Sequence, residues 1–172
     1  PRRRSKGLLM NSQCPILLVE DSPEDTEAIL RAFQRIGLDH PVVHCGSGDD
    51  ALDFLHLRGK YADPARAPRP CLILLDLNLP GTDGRDVLAD VKHDEQLKTI
   101  PVVVLTTSTD ERDVESCRQM GANSYINKPV DFSEFLGSVQ HIKDFWFGTA
   151  LLTQGDAEND RVHPISELQR DS

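Results

Sequence analysis

The stretch Leu72-Ile73-Leu74-Leu75-Asp76-Leu77-Asn78-Leu79-Pro80-Gly81 constrains the fold more than any other. Its apolar run has strand length and no polar alternation, the pattern of a strand buried on both faces of a parallel sheet. It ends on a carboxylate, and a loop containing Pro80 and Gly81 follows at once. Open α/β sheets bind ligands at the carboxyl ends of their strands. Asp76 is therefore predicted to stand where chemistry is expected.

Four more runs read as strands: residues 15–19, 42–45, 100–105 and 124–127. Helical spacings fill the intervals. In the first helix Ser22 is an N-cap, Pro23 fits the first turn and Asp25 stands as a capping-box acid. Ala28, Ile29, Ala32, Phe33 and Ile36 share its inner face, and Gly37 ends it. The second helix opens at Ser47 and turns Ala51, Leu52 and Leu55 inward. The third spans residues 84–93 and buries Val87, Leu88 and Val91. The fourth starts near Asp110 and carries Val114, Cys117 and Met120. The fifth has Asp131 and Glu134 as a capping box, with Phe132, Phe135, Leu136, Val139, Ile142 and Trp146 on its apolar side. Residues 58–70, rich in Pro, Gly and Ala and containing Tyr61, form a long loop, a candidate binding surface.

Five strands alternating with five helices predict an α/β fold: a doubly wound five-stranded parallel sheet with right-handed crossovers. All strand ends then share one edge. Glu20, Asp21, Asp76, Thr106 and Lys128, from four different strands, meet there. The folded unit is expected over residues 14–147. A flexible or added arm covers 1–13, and a C-terminal arm covers 148–172.

A net charge of −9 over 172 residues argues against nucleic acid as the partner, because phosphate would be repelled. No apolar run approaches the roughly 20 residues of a membrane span, and the scattered cysteines are those of a cytoplasmic protein. Cys14, Cys45, Cys71 and Cys117 form no CxxC pair. Their spacing argues for reduced structural thiols and against a metal cluster. The six histidines show no metal spacing and receive no role.

Carboxylates crowded at one edge either rise in pKa or are neutralised by a cation. Hard oxygen donors suit Mg²⁺ or Mn²⁺. Asp21, Asp76 and the Asn78 carbonyl are the candidate ligands, with Glu20 acting through water. Lys128 supplies a positive charge and Thr106 a hydroxyl. A carboxylate nucleophile beside a cation, an ammonium and a hydroxyl is equipped for phosphoryl transfer, which predicts an aspartyl phosphate at Asp76.

Glu20-Asp21, Asp76, Thr106 and Lys128-Pro129 stand in the order and strand context of receiver domains of two-component response regulators, and the chain resembles that family over about residues 15–147. The resemblance implies strand order 2-1-3-4-5, the flavodoxin-like topology. It implies that Asp76 accepts phosphate from the phosphohistidine of a sensor histidine kinase, and that Glu20, Asp21 and Asn78 hold Mg²⁺. Thr106 and Lys128 would contact the phosphoryl group, and Lys128-Pro129 would be a cis peptide. Tyr125 matches the aromatic that turns inward on activation, coupled to Thr106. Such a receiver promotes its own phosphorylation and slow hydrolysis but is a signalling protein rather than an enzyme by convention. The Leu75–Arg85 segment, the Pro-rich loop before it and Phe145-Trp146-Phe147 are similar to single-domain regulators paired with phytochromes. That implies a bacteriophytochrome as the kinase.

Three adjacent helical aromatics cannot all face one core, since neighbours diverge by about 100°. Phe145, Trp146, Phe147, Leu151 and Leu152 are therefore candidate homodimer contacts. The tail is too short for a DNA-binding domain, so the signal is expected to leave by protein contact. Three other readings meet specific obstacles in the sequence. A haloacid dehalogenase-like phosphatase needs an acid two residues after the nucleophile, where Asn78 stands. A flavodoxin-like carrier needs a Ser/Thr/Gly phosphate loop, where Glu20 to Asp25 is acidic. A non-phosphorylated pseudo-receiver would not need the complete constellation.

Overall fold

The computed structural model describes residues 14–107, 110–128 and 131–148. The arm at 1–13, Pro129, Leu151, Leu152 and the rest of the C-terminal arm lie outside these residues. The elements run β1 (Ile16–Val19), α1 (Pro23–Arg35), β2 (Val42–Cys45), α2 (Gly48–Leu55), β3 (Leu72–Asp76), α3 (Gly84–His93), β4 (Val102–Thr106), α4 (Glu111–Gln119), β5 (Ser124–Asn127) and α5 (Phe132–Ile142). All strand pairs are parallel, in the order β2-β1-β3-β4-β5. The expected architecture is what the chain adopts.

Continuous apolar strands explain the layering. β1, β3 and β4 are buried along their whole length. Successive side chains point to opposite faces. Leu17, Val19, Ile73, Leu75, Val102 and Val104 pack in one layer with α2, α3 and Cys117 of α4. Ile16, Leu18, Leu72, Leu74, Val103 and Leu105 pack in the other with α1 and α5. Each fully buried aliphatic side chain contributes roughly 1.5–3 kcal/mol, so the sheet is the rigid base for whatever stands on its rims.

The helix ends follow local chemistry, with some departures from expectation. Ser22 Oγ accepts from the Asp25 N–H at 3.2 Å, as an N-cap should. The reciprocal contact comes from elsewhere: the Ser22 N–H donates to Glu20 Oε1 at 3.1 Å, and Asp25 turns its carboxylate to Lys128. In α2, Phe54 is buried with Ala51 and Leu55 while Leu52 is half-buried, because the 100° step favours the 51/54/55 stripe. Gly37, at φ +71°, takes the left-handed position that closes α1.

Two regions differ more. The 58–70 loop is folded onto α2. A 3₁₀ turn at Gly59–Tyr61 brings the Tyr61 ring edge-on to Phe54 at 5.1 Å, and its hydroxyl donates to Asp50 Oδ2 at 3.2 Å. The loop is thus anchored packing, and what it leaves is a small cleft floored by Phe54 and Leu97. After α5, residues Lys143–Gly148 widen into a π-helical turn. It leaves Phe145 40% exposed with Trp146 and Phe147 half-buried, so the three aromatics do diverge.

Candidate functional site

The carboxyl ends of β1, β3, β4 and β5 carry the predicted constellation. Glu20 directly follows β1; its N–H donates to the Cys45 carbonyl at 3.1 Å, and its own carbonyl accepts from His44 Nε2 at 2.7 Å. Asp76 is the last residue of β3 and Thr106 the last of β4. The Lys128 N–H donates to the Thr106 carbonyl at 2.7 Å, which aims the lysine back across the sheet edge. Gly84 lets α3 start against this edge. A Cβ there would collide with the Asp76 carbonyl oxygen and come within 2.6 Å of Leu77 Cα.

Side-chain oxygens of Glu20, Asp21 and Asp76 lie within 4.8 Å of one another. Glu20 and Asp76 are buried and Asp21 is exposed, so the cluster opens to solvent on the Asp21 side. Lys128 Nζ lies 2.8 Å from Asp76 Oδ2, 3.0 Å from Asp25 Oδ2 and 2.5 Å from Glu20 Oε2. The last is a short ion pair, and the buried Glu20 Oε2 has no further donor among the described residues. The other Asp76 oxygen accepts from the Asn78 N–H at 3.0 Å.

The electrostatics follow from crowding and burial. Burial pushes the Glu20 carboxyl up to about 7, against the hydrogen bonds from Lys128 and Ser22, and the Asp76 charge adds to the rise. Burial alone would push the Lys128 ammonium down; hydrogen bonds to Asp76, Glu20 and Asp25 outweigh it and hold the lysine above its ordinary range. One ammonium thus serves three carboxylates. A divalent cation fits such a site: the donors are hard oxygens, they are close enough to share an ion, and a buried one lacks full hydrogen bonding.

Glu20, Asp21, Asp76 and Lys128 are therefore brought together, and Thr106 stands at the adjoining strand end with its carbonyl on the Lys128 N–H. Asn78 stands beside them, exposed, with its N–H committed to Asp76. Tyr125 is only 4% exposed, and its hydroxyl is hydrogen-bonded to Thr106. The Lys128-Pro129 peptide involves a residue outside the described ones. Asp25 was missed as a site residue, because its position suited a helix cap. His44 was missed because an isolated strand histidine carries no signal; only the pairing of β1 with β2 puts it on the Glu20 carbonyl.

Comparison with known proteins agrees with this geometry. The response regulator receiver domain model matches residues 16–140. The response regulator Rcp1 of Synechocystis is 43% identical over 137 residues, covering 80% of this chain and 91% of its own. Its Mn²⁺-bound crystal structure superposes with a TM-score of 0.72, covering 79% of this chain and 96% of that one. The phosphorylated cyanobacterial phytochrome response regulator RcpA gives 0.73 at 43% identity, over 80% and 96% of the two chains. The bacteriophytochrome response regulator AtBRR gives 0.65 at 41% identity, over 78% and 95%. The chain belongs to the response regulator receiver family.

Proposed function

We propose that the chain accepts a phosphoryl group on Asp76 from the phosphohistidine of a sensor histidine kinase, and that the kinase is a bacteriophytochrome. The observation that carries this is the Asp76 carboxylate held at 2.8 Å from Lys128 Nζ inside a cluster of three acids. The similarity to phytochrome regulators at 43% and 41% identity supports the partner.

The residues divide the work. Asp76 attacks phosphorus; a P–O bond forms as the P–N bond to the kinase histidine breaks. Lys128 and the Thr106 hydroxyl bind phosphoryl oxygens, and positioning with charge neutralisation is most of the catalysis. Glu20, Asp21, Asp76 and the Asn78 carbonyl would hold Mg²⁺ or Mn²⁺, which offsets the charge on the transferring group when bound. Tyr125, held inward on Thr106, would report the phosphoryl group to the surface. Asn78 stands where a phosphatase of this nucleophile class would need an acid, so the aspartyl phosphate would be released slowly by water and the chain would signal rather than turn over. The reduced cysteines fit a cytoplasmic setting.

Among the described residues Phe145 is an exposed large apolar side chain at the end of α5. It supports a homodimer across that end, extended by Leu151 and Leu152 of the arm. Phe145→Ser should then lower the sedimenting mass of the chain; an unchanged value removes this face from the account.

The test of the main reading is transfer from ³²P-labelled bacteriophytochrome kinase in Mg²⁺. Wild type should take up acid-stable, base-labile label, and Asp76→Asn should take up none. Equal labelling of Asp76→Asn would overturn the assignment. Labelling by unrelated kinases but not by phytochromes would keep the nucleophile and discard the partner.

A further inference from the structure

The opposite rim of the sheet holds a second cluster of different chemistry. Cys14 lies two residues before β1, Cys71 one residue before β3, and His40 in the turn between α1 and β2. Strand pairing brings them together. The Cys71 N–H donates to the Pro15 carbonyl at 3.0 Å, and the Ile16 N–H donates to the Pro41 carbonyl at 2.8 Å. A sulfur from each cysteine and a ring nitrogen of His40 lie within 4.8 Å of one another.

We propose that Cys14, His40 and Cys71 form a binding site for one thiophilic d¹⁰ cation, Zn²⁺, independent of the carboxylate rim. Two thiolates and an imidazole are a zinc donor set, with bonds of about 2.3 Å to sulfur and about 2.0–2.1 Å to nitrogen. Three donors already within 4.8 Å close on such an ion by small side-chain rotations. All three are half-buried, so the ion has an entry path and a fourth position for water.

The surroundings fit as well. His40 Nδ1 lies 3.2 Å from the Cys14 carbonyl oxygen. A carbonyl only accepts, so Nδ1 carries the proton and Nε2 keeps the lone pair, the arrangement that fixes a metal-ligating imidazole. Phe147 packs on the His40 ring, with centroids 4.2 Å apart. Cys71 Sγ donates to the Cys14 carbonyl at 3.2 Å, which holds the sulfur beside its neighbour. On binding, two S–H protons leave as two Zn–S bonds form, with no change of oxidation state. The strands place this site roughly 16 Å from Asp76, counting about 3.3 Å per residue along β3.

The test titrates the reduced full chain with Co²⁺ as a spectroscopic probe, in excess Mg²⁺ to occupy the carboxylate rim. A near-ultraviolet thiolate-to-metal band should saturate at one ion per chain and disappear on adding Zn²⁺. Cys14→Ser and Cys71→Ser should each abolish it, His40→Gln should weaken binding at least about tenfold, and Asp76→Asn should leave it whole. Zn²⁺ should also raise the melting temperature of wild type but not of Cys71→Ser, whose fold is verified by circular dichroism. The proposal is overturned by a missing band, by Co²⁺ uptake that survives both cysteine substitutions, or by a chain that isolates with a Cys14–Cys71 disulfide and takes no metal once reduced.

Discussion

The two rims of one sheet show how a single topology serves opposite chemistries. At the carboxyl rim the strands deliver the clustered hard oxygens of Glu20, Asp21 and Asp76, and the Lys128 ammonium is shared by Glu20 and Asp76. At the amino rim the same strands β1 and β3 begin next to Cys14 and Cys71, soft donors beside an imidazole. The difference lies in how each rim is held. The carboxyl rim gathers like charges and depends on Lys128 to tolerate them. The amino rim gathers thiols and an imidazole that lie against the Cys14 backbone carbonyl.

That contrast makes Lys128 the most sensitive position. Its side chain is 13% exposed and that of Glu20 is fully buried. Lys128→Met leaves buried acids without their cation, and removing one partner of a buried ion pair costs roughly 3–5 kcal/mol. The loss should be read as a lower urea midpoint that falls further as pH rises, because without the lysine's pull Glu20 is raised still further above its ordinary range and the unfolded chain releases its proton first. Mg²⁺ should recover more stability in this variant than in wild type. Cys71→Ser, on the other rim, should move the midpoint far less. Equal losses at the two rims would break the comparison.

Gly84 comes next. A methyl at this position meets the Asp76 and Leu77 backbone, which belongs to the sheet and cannot rotate away. Overpacking of this kind costs about 1–3 kcal/mol. Gly84→Ala should lower the melting temperature and slow phosphate uptake together, since the collision is with the nucleophile's own residue. A stability loss with unaltered uptake would show that the carboxyl rim tolerates displacement of its strand end.

A thiol buried away from both rims sharpens the contrast further. Burial raises the Cys117 thiol above its ordinary 9.0, against the pull of Arg85. A folded state that keeps a proton which the unfolded chain has released loses stability as pH rises. The contribution is intact below pH 9 and is lost above it, at no more than about 1.4 kcal/mol per pH unit. Denaturation midpoints followed from pH 8 to 10.5 should fall more steeply in wild type than in Cys117→Ala. Parallel slopes would mean that the thiol titrates alike in the folded and unfolded chain.

Much of this was legible in the sequence, for identifiable reasons. The strands were readable because β1, β3 and β4 are buried on both faces and carry unbroken apolar runs. The carboxyl rim was readable because parallel strands force Glu20, Asp76, Thr106 and Lys128 to one edge. The amino rim was not, because Cys14 and Cys71 stand 57 residues apart and look unrelated until β1 pairs with β3. Asp25 misled because one residue can offer its N–H to a cap and its carboxylate to a lysine over a hundred positions away. Composition marked 58–70 as a loop but does not show that Tyr61 lies against Phe54.

The smallest effect has the opposite sign. Gly137 sits inside α5, and a Cβ there meets nothing within 4 Å. Its backbone is helical, so the glycine only adds freedom to the unfolded chain. Replacing it by alanine should stabilise by about 0.5–1 kcal/mol. The same substitution thus destabilises at Gly84, where α3 leans on the nucleophile's strand, and stabilises at Gly137, where α5 faces solvent. Calorimetric melting of Gly137→Ala should show a small upward shift with phosphate uptake unaltered. A downward shift would mean that the exposed side of α5 is covered by something, and the dimer contact placed at Phe145 would then have to extend back along the helix to residue 137.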